Sequence, residues 1–306
     1  MNFCKIKMLI KYRCLITISL LFFLYKLRII PKEIVIEYTR NKKLKLLEKR
    51  FHKTINKNSN IEFSKKEFKK ENIIIWTCWL QGEEKAPLIV KKCIKSIKNN
   101  KNNFPVVLIT EENFKTYVNI PEFIVKKWKS GIISNTHFSD ILRCALLIQH
   151  GGIWIDATCY LSDKIPDFVF ENSFFCFKHK RRLEDTIELG SWFMYSVNDN
   201  PLLKMTYELE NEYWKKYNEL DDYFLFHIFI RISSKYYSEI WNFAPNLNDM
   251  TPHELNSNLN YTYNKEISEY IISSSFVHKL TYKFLNIKSE SILEKFLNGG
   301  IKSNEN

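Results

Sequence analysis

Two carboxylates and a guanidinium stand close together near the middle of this 306-residue chain. In SDILRCALLIQHGGIWIDAT, residues 139–158, Asp140 and Arg143 are three apart. Gly151 and Gly152 follow, then Asp156, with Thr158 two beyond it. On a helix, residues three apart share a face, so Asp140 and Arg143 would project side by side. Ile141, Leu142, Ala145, Leu146 and Ile148 make that helix apolar and therefore buried. A charged pair on it must satisfy itself or face a cleft. Gly-Gly turns the chain tightly and permits close backbone approach. The strand IWI then delivers Asp156 at its C-terminal end, the edge at which open α/β sheets bind ligands. Asp140, Arg143 and Asp156 would thus converge on one polar ligand. Each piece also has an ordinary explanation: a helical salt bridge, a helix cap and a turn residue. The combined spacing D-x2-R-x7-GG-x3-D is much rarer by chance.

The elements that must position these residues read as one domain over 71–290, α/β in class with a mainly parallel central sheet. NIIIWTCW at 72–79 and VVLIT at 106–110 are apolar and β-branched, so buried strands. Between them, Pro87 opens a helix with Ile89, Cys93, Ile94 and Ile97 on one face. Strand, helix, strand at this spacing is a βαβ unit with a right-handed crossover. A helix is expected at 121–130, stopped at Gly131, and another at 139–150, capped by Thr136 or Ser139 and ended by Gly151. Short strands at 153–155, 174–177 and 191–195 precede helices near 201–217 and 222–232. Residues 291–306 read as a flexible tail.

The net charge of +12 is unevenly placed. Residues 1–70 carry 19 Lys and Arg against 5 Asp and Glu, whereas the rest carries 27 against 29. The main domain therefore has no basic stripe for a phosphate backbone, and nucleic acid is excluded as a partner. A basic arm beside an apolar run, CLITISLLFFLY at 14–25, suits an anionic membrane surface. Twelve helical residues cover roughly 18 Å against a hydrocarbon core of roughly 30 Å. The segment 1–30 is expected to associate with the membrane as an interfacial or short anchor, with a soluble packing helix and a cleaved signal as the alternatives. Residues 31–70 read as a basic helical linker in which Leu44, Leu47 and Phe51 fall at helical spacing. The seven cysteines include no CxxC pair and several lie in apolar runs, which suits buried thiols in a reducing compartment.

The motif resembles the capsular polysaccharide synthesis protein family, related to glycosyltransferase family 32 and its sugar-transferring toxins. Those share S-D-x-x-R-x-x-x-L-x-x-x-G-G-x-[YW]-x-D-x-D. The likeness extends to IIIWTCWLQGEEKAP (73–87), SWFMYS…NPLLK (191–204), YWKKYNELDDYFLFH (213–227) and HKLTYK (278–283), most of 72–283. It implies a GT-A type nucleotide-sugar-binding domain and transfer, with retention, of a sugar from a UDP- or GDP-linked donor to a glycan or lipid-linked glycan. The compartment implied is the cytoplasmic face of a bacterial inner membrane.

By the same resemblance, Trp79 packs on the donor base, with Trp76 the second candidate. Asp140 and Arg143 grip the sugar hydroxyls, Gly151 and Gly152 lie on the donor side, and Asp156 is the first carboxylate of the DXD motif. The second is replaced by Thr158, a neutral hydroxyl where Mn²⁺ or Mg²⁺ wants an anionic oxygen. His278 and Lys279 are then expected to meet the diphosphate, with Asp156 and His278 as the ligands of any metal. Asp222, or Asp221, is expected to touch a sugar or else to cap a helix. The residues alone also leave open a glycoside hydrolase working through two of Asp140, Asp156 and Asp222, or a non-catalytic scaffold at a membrane surface.

Overall fold

The computed structural model describes residues 15–59, 61, 73–100, 102–178, 186–283 and 287–299. Strands β1 (Ile75–Cys78), β2 (Val106–Ile109) and β3 (Gly152–Ile155) pair in parallel, with β1 in the middle. Helix α4 (Leu88–Lys98) is the crossover of the expected βαβ unit. Antiparallel to β3 lies β6 (Leu189–Ser196), followed by β5 (Phe174–Lys178), giving the order β2-β1-β3-β6-β5. Four of these strands therefore run one way, and β6 alone runs against them. Both faces are covered, so the strands are apolar on both sides. Trp76, Trp154 and Met194 enter one core cluster; Ile75, Ile153, Ile155, Phe193 and Tyr195 enter another.

The first face is packed by α6 (Glu122–Lys129), α7 (Asn135–His150), α8 (Pro201–Lys216) and α9 (Leu225–Tyr236). Helix α7 begins a turn earlier than its sequence suggests. Ser134, rather than Thr136 or Ser139, accepts the His137 amide and caps it. A short helix α5 (Phe114–Tyr117) follows β2, and α10 (Ser238–Phe243), α11 (Met250–Asn258) and α12 (Lys265–Ser273) complete the C-terminal half. A second, two-stranded sheet was not expected. Its strands β4 (Cys159–Leu161) and β7 (Val277–Lys279) are too short to signal themselves, yet their antiparallel pairing sets Lys279 opposite Cys159.

Both chain ends are more integrated than their composition suggests. Before the sheet come α1 (Leu15–Lys26), α2 (Lys32–Arg50) and α3 (His52–Asn58). Leu44, Leu47, Phe51 and Ile55 of α2 and α3 are buried in the first core cluster, so the segment to Asn58 is part of the domain rather than a free linker. Likewise Ile292, Leu293 and Phe296 of α13 (Ile292–Leu297) are buried with Ile89, Val90 and Leu255, which extends the domain into the expected tail. No helix among the described residues is long and apolar enough to cross a membrane. Residues 1–14, part of the expected membrane segment, lie outside the described residues.

Candidate active site

A chain of alternating charge runs across the C-terminal end of β3. Arg143, on the buried face of α7, donates from one terminal nitrogen to Asp140 Oδ1 at 2.6 Å and from the other to Asp156 Oδ1 at 3.1 Å. The Trp154 indole donates to that same Oδ1 at 2.8 Å. Lys279 Nζ donates to Asp156 Oδ2 at 2.7 Å and to Thr158 Oγ1 at 2.6 Å. Helix α7, β3 and the small sheet each supply a member. The Arg143 guanidinium also lies over the rings of Trp154 and Phe226, 4.9 and 5.2 Å from their centroids, which helps hold it in place.

This order fixes the charges. Burial alone would raise the Asp156 carboxyl, but the Lys279 ammonium and the Arg143 guanidinium, with their hydrogen bonds and that of Trp154, hold it down to about 2. For Lys279, burial works against the cation and the Asp156 carboxylate outweighs it, so its pKa is raised. Arg143 is held charged by Asp140 and then Asp156 against the same burial. Lys279 has three donors and uses two, and Arg143 Nε is buried with no partner. Donor capacity thus remains for an incoming anion.

The chain of charges sits where two lobes of one cleft meet. The first lobe, of about 440 Å³, has walls that include Trp79, Gln81, Thr158, Asn256 and Tyr282. The second, of about 400 Å³, includes Arg40, Asp140, Arg143, Trp192 and His227. Thr136, Ser139, Asp156, Tyr223, His253 and Lys279 line both. The indole N–H of Trp79, edge-on to Tyr282 at 5.4 Å, is buried with no partner.

Several expected site residues lie elsewhere. Trp76 is fully buried beneath the sheet, and its indole donates to the Gly151 carbonyl at 2.9 Å; it holds the end of α7 to β1. Gly151 and Gly152 sit at the opposite end of β3, roughly 13 Å from Asp156 at strand rise. A Cβ on Gly152, whose φ is +96°, would stand 2.4 Å from the Ile74 carbonyl oxygen, and one on Gly151 would stand 2.8 Å from the Asn198 nitrogen. Both glycines serve the close passage of α7 into β3 and not a ligand. His278 faces away from Lys279 because neighbours on a strand point to opposite sides. Its Nε2 lies 3.1 Å from the Ile272 carbonyl and from the Ser162 hydroxyl, and burial pushes its pKa down to about 4. Asp222 lines neither lobe; it accepts from Lys43 at 2.6 Å and from the Phe224 amide at 3.0 Å. The sequence reading missed Trp154, Tyr223 and His253. The period of two along β3 puts Trp154 on the same side as Asp156, which was a legible signal; Tyr223 and His253 come from loops and helix ends with none.

The residues present do not fit a divalent ion. Such an ion needs anionic oxygens with free lone pairs, and here Lys279 donates to both Asp156 and Thr158. Among the described residues, no group of three or more His, Cys, Asp or Glu could hold a metal ion.

The chain is a mixed α/β domain with a cleft at the carboxyl edge of its parallel strands, walled by aromatic rings and floored by paired charges. The family model described as capsular polysaccharide synthesis protein matches residues 25–297, and the chain belongs to that family. No curated protein matches it. Among solved structures it is similar to one titled PaToxG Glycosyltransferase, at 16% identity and a TM-score of 0.37, over 68% of this chain and 84% of that one. That superposition is too loose to carry over any residue or activity.

Proposed function

We propose that the protein is a GT-A type glycosyltransferase that moves a sugar from a nucleotide-sugar donor to a growing surface glycan without a catalytic metal. The observation that carries this reading is Lys279 seated on both Asp156 and Thr158, with one donor to spare, where the metal and its second carboxylate would otherwise be needed. Family membership supplies the polysaccharide context.

In this reading the first lobe takes the nucleotide, with the base against Trp79. Lys279 meets the diphosphate as a point charge and stabilises it as the bond to the anomeric carbon breaks. Arg143 and Asp140 hold sugar hydroxyls at the junction of the lobes. The second lobe places the acceptor hydroxyl. Asp156 stays ionised throughout; it orients Lys279 and Arg143 and opposes the positive charge that develops at the anomeric centre. Attack on the face the diphosphate leaves, with a phosphate oxygen taking the acceptor proton, would give retention and requires no strong protein base. A hydrolase's general acid needs a raised pKa, which disfavours Asp156 and Asp222 in that role, since both are lowered.

Thermal melting with UDP, UDP-sugars, GDP and GDP-sugars tests the reading. A raised melting temperature with one nucleotide family, and release of that nucleotide from its sugar in the presence of EDTA, are the expected outcomes. Sugar release from a glycan with no response to any nucleotide would favour the hydrolase.

A further inference from the structure

A further cavity, of about 400 Å³, lies outside the cleft. It opens at the far end of the small sheet, where β4 runs on into Ser162 and β7 is preceded by Ser275 and Phe276. Phe276 stands three residues before Lys279, roughly 10 Å along the strand. Other walls come from Phe168, from Phe177 of β5, and from the start of α11, where Asn248 precedes the helix and Thr251 lies in its first turn.

The chemistry of this cavity differs from that of the cleft. Among the described residues its walls hold one carboxylate, Asp163, and one ammonium, Lys164, so no excess of positive charge favours an anion. Hydrogen-bonding capacity is nevertheless unspent. Asn248 uses its side-chain oxygen to accept the Met250 amide at 2.7 Å, and its side-chain nitrogen has no partner among the described residues; nor has the Thr251 hydroxyl. Ser273 and Ser274 donate to the Tyr270 and Ile271 carbonyls, which leaves their oxygens as acceptors. Beside these polar groups lie the half-buried rings of Phe168 and Phe276, centroids 6.5 Å apart, with Phe177 stacked on Phe276 at 5.8 Å. Neutral donors and acceptors next to apolar rings match a sugar, which offers hydroxyls at its rim and C–H groups on its faces.

The cavity and the second lobe stand back to back. Phe177 on the cavity side stacks on Trp192 on the lobe side, centroids 4.8 Å apart. Asn248 and Thr251 line the cavity while Asp249 and His253 line the lobe, so the start of α11 is a wall of both. We propose that this cavity is a sugar-binding subsite that holds a neutral sugar residue of the acceptor glycan, a few units behind the hydroxyl that reacts. The growing end occupies the second lobe, and the chain passes over the start of α11 to reach it. Calling that glycan the acceptor rests on the transferase reading; the sugar site itself does not.

The test measures, by saturation-transfer NMR on the full chain, binding of the methyl glycosides of glucose, galactose, mannose, rhamnose and N-acetylglucosamine, and of their linear trisaccharides. Saturable binding of at least one of these sugars is expected. Thr251→Val, which loses only the hydroxyl, weakens that binding about three- to tenfold, the effect of one hydrogen bond. Thr251→Trp fills the cavity and abolishes binding. Ser274→Trp fills the same space from the end of α12, so that if one variant fails to fold the other decides. Absence of saturable binding to wild type overturns the proposal. Undiminished binding in a folded cavity-filling variant places the sugar in the cleft and overturns it too. Inorganic phosphate that displaces the bound sugar from wild type would assign the cavity to an anion, with the same result. Nucleotide-induced melting shifts on the same samples keep the two readings apart. Sugar binding that depends on Thr251, with no response to any nucleotide, sinks the transferase and leaves the sugar site. A nucleotide response without Thr251-dependent sugar binding sinks the sugar site alone.

Discussion

Two lysine–aspartate pairs in this protein look alike and do different work. Lys279 meets Asp156 at 2.7 Å, and Lys43 meets Asp222 at 2.6 Å. Each links segments far apart in sequence, and in each the lysine lowers the carboxyl pKa against the effect of burial. The Lys43 pair is closed: the lysine is buried, a backbone carbonyl takes another of its protons, and the aspartate spends its second oxygen on the Phe224 amide. It ties α2 to a loop. The Lys279 pair is open: it borders both lobes, Arg143 and Asp140 extend it, and Lys279 keeps one donor unspent. A short ion pair is therefore no sign of chemistry by itself. What marks the site is an ion pair with further charge behind it and open space before it.

The sharpest way to break this comparison is Asp156→Asn. It keeps the shape but leaves Lys279 and Arg143 uncompensated, and transfer should fall by at least about 10³-fold with an unchanged circular dichroism spectrum. Turnover close to wild type would place the chemistry elsewhere. Lys279→Met should lower kcat by about 10²-fold or more and the acceptor KM far less, in assays where EDTA leaves wild-type activity intact. Full loss on chelation, restored by Mn²⁺, would show that other groups bind a metal after all.

Asp222→Asn should do the reverse. It costs about 3 kcal/mol of stability by stranding Lys43, read as a lower denaturant midpoint, and changes kcat far less than Lys279→Met does. A large kcat loss in a folded Asp222→Asn protein would return that carboxylate to the reaction.

A pH-dependent effect, no larger than that and felt only in acid, concerns His278, which shares β7 with Lys279. Its folded pKa of about 4 lies below the ordinary 6.5, so the unfolded chain binds the proton more tightly. The stabilisation is complete above about pH 6.5 and is lost as pH falls toward 4, up to about 3 kcal/mol. Asp156, depressed to about 2, adds nothing until pH drops below about 3.8. Denaturation midpoints of wild type and His278→Leu between pH 7 and 4 check this; an equal slope in both would assign the acid sensitivity elsewhere.

Much of the fold was legible because it is local. The βαβ unit, the buried α7 and the placement of Asp156 at a strand end follow from apolar periodicity and capping over short windows. The pairing of Asp140 with Arg143 follows from helical spacing alone. The roles of the paired glycines did not follow, because what a glycine makes room for is visible only once Ile74 and Asn198 are beside it. Nor did the fate of HKL at 278–280. Either His278 or Lys279 could have met the cleft, and only the register of β7 on β4 chose the lysine.

The sequence by itself determined a mixed α/β domain, a buried helix bearing an acid–base pair, and a carboxylate at the carboxyl edge of the sheet. These depend on interactions within a few residues. Tertiary structure alone decided that Lys279 would reach Asp156 across 123 positions, that Asp222 would be a strut, and that α2 would bring Arg40 to the cleft. Such contacts depend on how separate elements dock, and docking is set by the summed burial of many apolar side chains, which no short motif records.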